Sequence, residues 1–89
     1  MVITLRPVRV ATGHEEEGNL VFDDHGRLVA VLVRLSDQNE VAPGHWFLEV
    51  GFDGLDVASP PIFVDLTAAQ RWIRERLARA ARVASASLS

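Results

Sequence analysis

Apolar residues alternate with a period of two along most of this chain, then switch to a helical period near its end. Met1 to Ala11 sets Val2, Thr4, Arg6, Val8 and Val10 on one side and Ile3, Leu5 and Arg9 on the other, the pattern of a strand. Pro7 has no backbone N–H to donate, which places that strand at a sheet edge. Thr12 to Gly18 is polar, with Glu15, Glu16 and Glu17 in succession, and reads as a solvated loop. The runs Asn19 to Asp23 and Arg27 to Leu35 flank Asp24-His25-Gly26 and predict a hairpin, with Gly26 supplying the positive φ of a short turn. Within the second run Val29, Val31, Val33 and Leu35 point one way, and Leu28, Ala30, Leu32 and Arg34 the other. After a polar loop at Ser36 to Gly44, His45 to Phe52 alternates again. Trp46, Leu48, Val50 and Phe52 share one face; Phe47, Glu49, Gly51 and Asp53 share the other. Asp53-Gly54 and Ser59-Pro60-Pro61 bracket a further loop, and Ile62 to Val64 forms either a short strand or an extended lead into a helix.

From about Leu66 to Val83 the spacing changes. Leu66, Ala69, Ile73, Leu77, Ala80 and Ala84 fall at steps of three and four, one stripe of a helix. Asp65 is placed to cap its N-terminus; alternatively Thr67 caps and Gln70 completes a capping box. Ala78 to Arg82 contains only alanine and arginine, both strong helix formers. Residues 85–89 read as a frayed tail, which leaves 1–84 as a single domain. Consecutive strands with short connections pair as neighbours. The expected fold is therefore α+β: an antiparallel three- to four-stranded β-meander with one C-terminal α-helix packed on one face, the face of Trp46, Leu48, Val50 and Phe52.

Size sharpens this expectation. A chain of 89 residues makes one domain and buries only about 60–65% of the surface its unfolded form exposes. Domains this small draw extra stability from disulfides, a metal, very good packing or a partner subunit. The chain contains no cysteine, which excludes disulfides, thiolate zinc sites and thiol chemistry. No apolar run reaches the roughly 18 residues of a membrane span, and Arg6, Pro7 and Arg9 break up the N-terminus where a signal peptide would be continuously apolar. A cytoplasmic protein without membrane contact is expected. Every basic residue is arginine, the imprint of a GC-rich, bacterial-type genome. Charge is segregated: residues 1–65 carry 11 acids and 4 arginines, residues 66–89 carry 5 arginines and 1 acid.

One lone helix covers one face of a sheet. An antiparallel sheet with a wet second face alternates apolar with polar residues, yet the stretch from Leu28 to Val33 is apolar on both sides. A bare row of Val29, Val31, Val33 and Leu35 would forfeit about 1.5–3 kcal/mol for each side chain left unburied. A second subunit on this row, in a two-fold homodimer, is the expected solution; the alternative is that the N-terminal strand or a loop folds over it.

Candidate chemistry is sparse. His14 beside Glu15 to Glu17, His25 beside Asp23 and Asp24, and His45 have the donor types of a zinc or iron site, but none has ligand spacing on a helix and all fall in loops or at strand ends. Asp23, Asp24, Glu49 and Asp53 are acids without an apolar neighbourhood to tune them for acid–base work. No phosphate-binding glycine loop and no nucleophile elbow occurs. No metal or other cofactor is expected. Arg71, Arg74, Arg79 and Arg82 lie on the outer arc of the helix and could touch phosphate. A solvated face with an Arg71–Glu75–Arg79 ladder accounts for them equally well, and the acidic body argues against a nucleic-acid partner. Trp46 belongs to the core by its spacing; Trp72 sits beside the helix stripe, at a rim or interface.

Gly44-His45-Trp46 opening a strand, the Gly54-Leu55 turn and Asp65-Leu66-Thr67-Ala68-Ala69 opening a helix resemble, over residues 44 to 77, the antitoxin family HicB. The resemblance implies a strand–strand–strand–helix core that binds a small toxin and self-associates. The chain departs from that pattern in the longer stretch between Trp46 and the helix, in Pro60-Pro61 and in lacking an appended DNA-binding segment. The expected function is a small non-catalytic, homodimeric interaction module. An antitoxin-like or regulatory protein binding a small basic partner is the alternative, and a metal-binding protein or small enzyme the third.

Overall fold

The computed structural model describes residues 2–11 and 17–87. Five strands, β1 (Thr4–Arg9), β2 (Glu17–Phe22), β3 (Leu28–Arg34), β4 (Trp46–Gly51) and β5 (Ile62–Phe63), precede one helix, α1 (Leu66–Ser87). The strands form one antiparallel sheet in sequence order, β1-β2-β3-β4-β5. This is the expected α+β meander, widened by the two-residue β5. Pro7 lies in β1, an edge strand as its chemistry requires. No helix is long and apolar enough to cross a membrane.

α1 starts where Asp65 caps it: the Asp65 carboxylate accepts the Ala68 N–H at 2.8 Å, satisfying one of the free donors of the first turn. Thr67 is not the cap. With neither glycine nor proline after Leu66 to stop it, the helix continues to Ser87, four residues past the expected end at Val83.

Ala69, Ile73 and Leu77 face the sheet and are buried against Val21, Ala30, Leu32, Trp46, Leu48 and Phe63. Trp72 sits at the rim of this core, its ring 5.6 Å from Phe63 and 5.2 Å from the Arg76 guanidinium. A further residue, Leu55, is fully buried in the same core. It arrives there from a tight turn in which Asp53 (φ 54°) and Gly54 (φ 92°) both adopt positive φ, and in which the Leu55 N–H donates to Phe52 O at 3.1 Å. Arg76 pins the turn to the helix through two hydrogen bonds to Gly54 O, both 3.2 Å.

Two β-bulges change the face assignments. Val21 pairs with Ala30 and Phe22 with Leu28, so Val29 is an extra residue in β3. Val29 and Ala30 both turn toward the helix and both are buried. Likewise Val31 pairs with Val50 and Leu32 with Leu48, so Glu49 is an extra residue in β4. Trp46 and Leu48 face the helix as expected, but beyond the bulge the alternation inverts. Val50 joins the opposite face at 39% exposure, and Phe52, past the strand end, is 49% exposed. A period-two pattern cannot register an inserted residue, and each insertion moves later side chains to the other face.

Gly51 is where the returning loop touches the sheet. A Cβ at this position would lie 2.3 Å from the Leu55 carbonyl oxygen, a backbone atom that cannot swing aside. Gly51→Ala is expected to destabilise the fold by about 2–3 kcal/mol, the upper range of overpacking costs, measured by urea denaturation. A glycine tolerant of alanine here would mean that Leu55 does not seat as described.

Candidate functional site

α1 occupies one side of the sheet. On the other side no helix or strand of the described residues is packed. The strand registers define its rows. Arg6, Leu20, Val31 and Val50 form a line across β1 to β4. Val8, Gly18, Val33, Phe47 and Ile62 form the next, and Thr4, Phe22 and Leu28 a third. The middle of this surface is apolar. Leu20, Phe22, Val31 and Phe47 are half-buried by their neighbours, while Leu28 (38%), Val50 (39%) and Ile62 (47%) are exposed. Val8 and Val10 lean over Gly18, where an added Cβ would meet Val10 Cγ2 at 2.5 Å, and Val33 is buried beside them.

Among the described residues that make up these rows, Arg6 is the one that carries a charge. Arg6 stands on β1 with its guanidinium 6.0 Å from the centre of the Phe22 ring. Glu49 stands exposed on β4, in the bulge. Neither makes an ion pair with another described residue.

Of the four residues expected to form the associating row, Val31 and Val33 lie on this face. Val29 does not: the β3 bulge turns it into the helix-side core, where it is 1% exposed. Leu35 follows β3, half-buried, its N–H donating to His45 O at 2.7 Å. The other contributors, Leu20, Phe22, Phe47, Val50 and Ile62, are not part of the expected row. Leu20 and Phe22 alternate with buried Val21, a signal present in the pattern; Val50 is hidden by the bulge.

The turn between β2 and β3 gathers Asp23, Asp24, His25 and Arg27 beside a cleft of about 260 Å³ that Asp53, Leu77, Ala80 and Ala81 complete. Asp23 is its organising residue. Its carboxylate accepts the N–H groups of His25 and Arg27, each at 2.9 Å, and the Arg27 Nε at 2.9 Å. Arg27 Nη2 lies 2.8 Å from Asp23 and 3.6 Å from Asp53. The Arg27 backbone N–H, with further help from the His25 N–H and the Arg27 guanidinium, holds the Asp23 carboxyl below the ordinary carboxylate range. Both oxygens are engaged in shaping the turn, which leaves Asp23 no free lone pair suited to general-base work. The His25 ring is 3.7 Å from Asp24 and largely exposed. His45 Nδ1 lies 3.0 Å from Pro43 O. His14 falls outside the described residues. Among the described residues no group of three or more His, Asp or Glu is arranged to hold a metal ion. A second, more open groove runs along Thr4 to Pro7, Phe22, Asp23 and Gly26; its ionisable side chains are Arg6 and Asp23.

Arg71, Arg79 and Arg82 are exposed and Arg74 half-exposed on the outer side of α1. The Arg71–Glu75–Arg79 ladder is not formed: none of the three makes an ion pair with another described residue. These side chains project away from the sheet, on the opposite side of the molecule from the apolar rows.

Compared with known protein families, curated proteins and solved structures, the chain matches none of them.

The Asp23 turn makes a pH-dependent contribution. Because the folded-state pKa lies below the unfolded one, stability from this carboxylate is fully present above the unfolded value and is lost as pH falls through the lowered folded value. Asp23→Asn is therefore expected to be less stable than the parent at neutral pH, with the difference shrinking as the pH falls below the ordinary carboxylate range. Urea unfolding at neutral and at strongly acidic pH measures it; an unchanged difference would mean that the charge contributes nothing.

Proposed function

We propose that this protein is a small non-catalytic association module, and that its helix-free sheet face meets a second copy of the chain. One observation carries the reading: contiguous apolar rows across the five strands, with exposed Leu28, Val50 and Ile62 among them, and no helix or strand of the described residues packed over them. Soluble monomers rarely leave such a surface bare.

The sheet edges offer a poorer route. β1 carries Pro7, which interrupts the row of backbone donors, and β5 has only two residues; both devices blunt edge-to-edge pairing. Although residues 1–65 are strongly acidic, the described residues in the rows of this face include one charged side chain, Arg6. A small basic partner, as an antitoxin-like role requires, finds no acidic row among them, whereas a second copy sets apolar residues against apolar residues.

Strands about 4.8 Å apart and rows about 7 Å apart give the face a projected area of roughly 400 Å². A standard stable interface takes about 800 Å² of accessible surface from each partner. The association is thus expected to be concentration-dependent rather than obligate.

Sedimentation velocity over the micromolar range should show the 9.8 kDa chain moving toward twice its mass as concentration rises. Leu28→Lys and Val50→Lys alter side chains that are already exposed, so circular dichroism should be unchanged while the dimer is lost. A parent chain that stays monomeric throughout would overturn this function.

A further inference from the structure

The strand registers show that the helix-free face has one polar margin and one apolar margin. β1 supplies Thr4 and Arg6 to two of the rows, and both are exposed. At the other margin β5 sets Ile62, 47% exposed, beside Phe47. Between them the rows on β2, β3 and β4 are apolar apart from Gly18: Leu20 and Phe22 on β2, Leu28, Val31 and Val33 on β3, Phe47 and Val50 on β4. Burial is gained by covering β2 to β5, whereas covering Arg6 would take a cation out of water with no counter-charge in the rows to receive it.

Two copies stacked on this face are related by a two-fold axis in the plane between the sheets, and the contact is the same patch on both. An axis running across the strands keeps β1 over the partner subunit's β1, so Arg6 stays inside the contact wherever the row through Leu20, Val31 and Val50 does. An axis along the strands between β2 and β3 sets Arg6 over the partner subunit's Val50 and carries Ile62 outside. Moved to β4, such an axis carries Leu20 and Phe22 outside. The centre of the patch formed by β2 to β5 is the gap between β3 and β4.

We infer that the protein forms a face-to-face homodimer whose two-fold axis runs parallel to the strands between β3 and β4, with β1 left in solvent on either side. This rests on the proposed association and adds its symmetry. The operation exchanges β3 with β4 and β2 with β5. Val31 meets the partner subunit's Val50, Val33 meets the partner subunit's Phe47, and Ile62 meets the partner subunit's Gly18, over which Val8 and Val10 already lean. Every one of these contacts is apolar. The helices lie outside, giving four layers in the order helix, sheet, sheet, helix.

Spin labels read the axis directly, because the chain has no cysteine of its own. Nitroxides on Arg6→Cys or on Thr4→Cys alter exposed β1 side chains, and circular dichroism verifies the fold. In this dimer the two β1 strands lie five strand spacings apart on sheets about 10 Å apart, so double electron–electron resonance should give a separation of about 25 Å. The alternative axes bring the same two positions to about 17 Å or less. Arg6→Glu should leave the dissociation constant within about twofold of the parent, while Ile62→Lys should weaken the dimer at least tenfold. A separation below about 20 Å at both sites, or a dimer lost with Arg6→Glu and kept with Ile62→Lys, overturns this symmetry. If Leu28→Lys and Val50→Lys still abolish association in that case, the face stands and its symmetry alone falls. A monomeric parent chain overturns both.

Discussion

A lone helix against a five-stranded sheet is the constraint on which the rest of this structure depends. Ala69, Ile73 and Leu77 of α1 meet Leu32, Trp46 and Leu48 on one side, and burial of that side is the main favourable term in a domain of this size. One helix cannot reach across the full width of the sheet. Leu55, carried in by the turn after β4, closes part of the remaining gap. The glycine at position 51 is the backbone accommodation that lets it enter.

Because the core is assembled from one side, the properties of the other side are set by it. That second side retains apolar residues on all five strands, several of them half-buried, with no helix or strand of the described residues packed over them. The edges are shortened or interrupted, so the surface is bounded as well as greasy. The proposed association needs no pocket and no tuned acid. Asp23, the carboxylate whose pKa is displaced, is committed to its hairpin turn.

The general plan was readable in the chain because the period of apolar residues changes from two to three-and-a-half near Leu66, and because Pro7, Gly26 and Asp65 each act by local chemistry. What escaped is non-local. Val29 looks like a member of the row with Val31 and Val33, and Val50 looks like a partner of Leu48, until a bulge inserts one residue and exchanges their sides. Leu55 sits in a loop by any local criterion, and only the fold brings it beneath the helix. The candidate face was half legible for the same reason. Apolar character on both sides of β3 pointed to it, but which residues occupy it depends on strand register.

The overrun of α1 has a consequence for how the molecule opens. The side chains of Ala69, Ile73 and Leu77 are buried, whereas Ala81, Arg82 and Val83 are exposed. At Arg82 and Val83, whose side chains are exposed, the helix rests mainly on its own backbone bonds and on the intrinsic helix preference of its residues. Such a stretch unwinds at little cost, while the turns above the sheet open only when the whole domain does. Along one rod, local stability thus falls from the buried turns at Ile73 to the exposed turn at Val83.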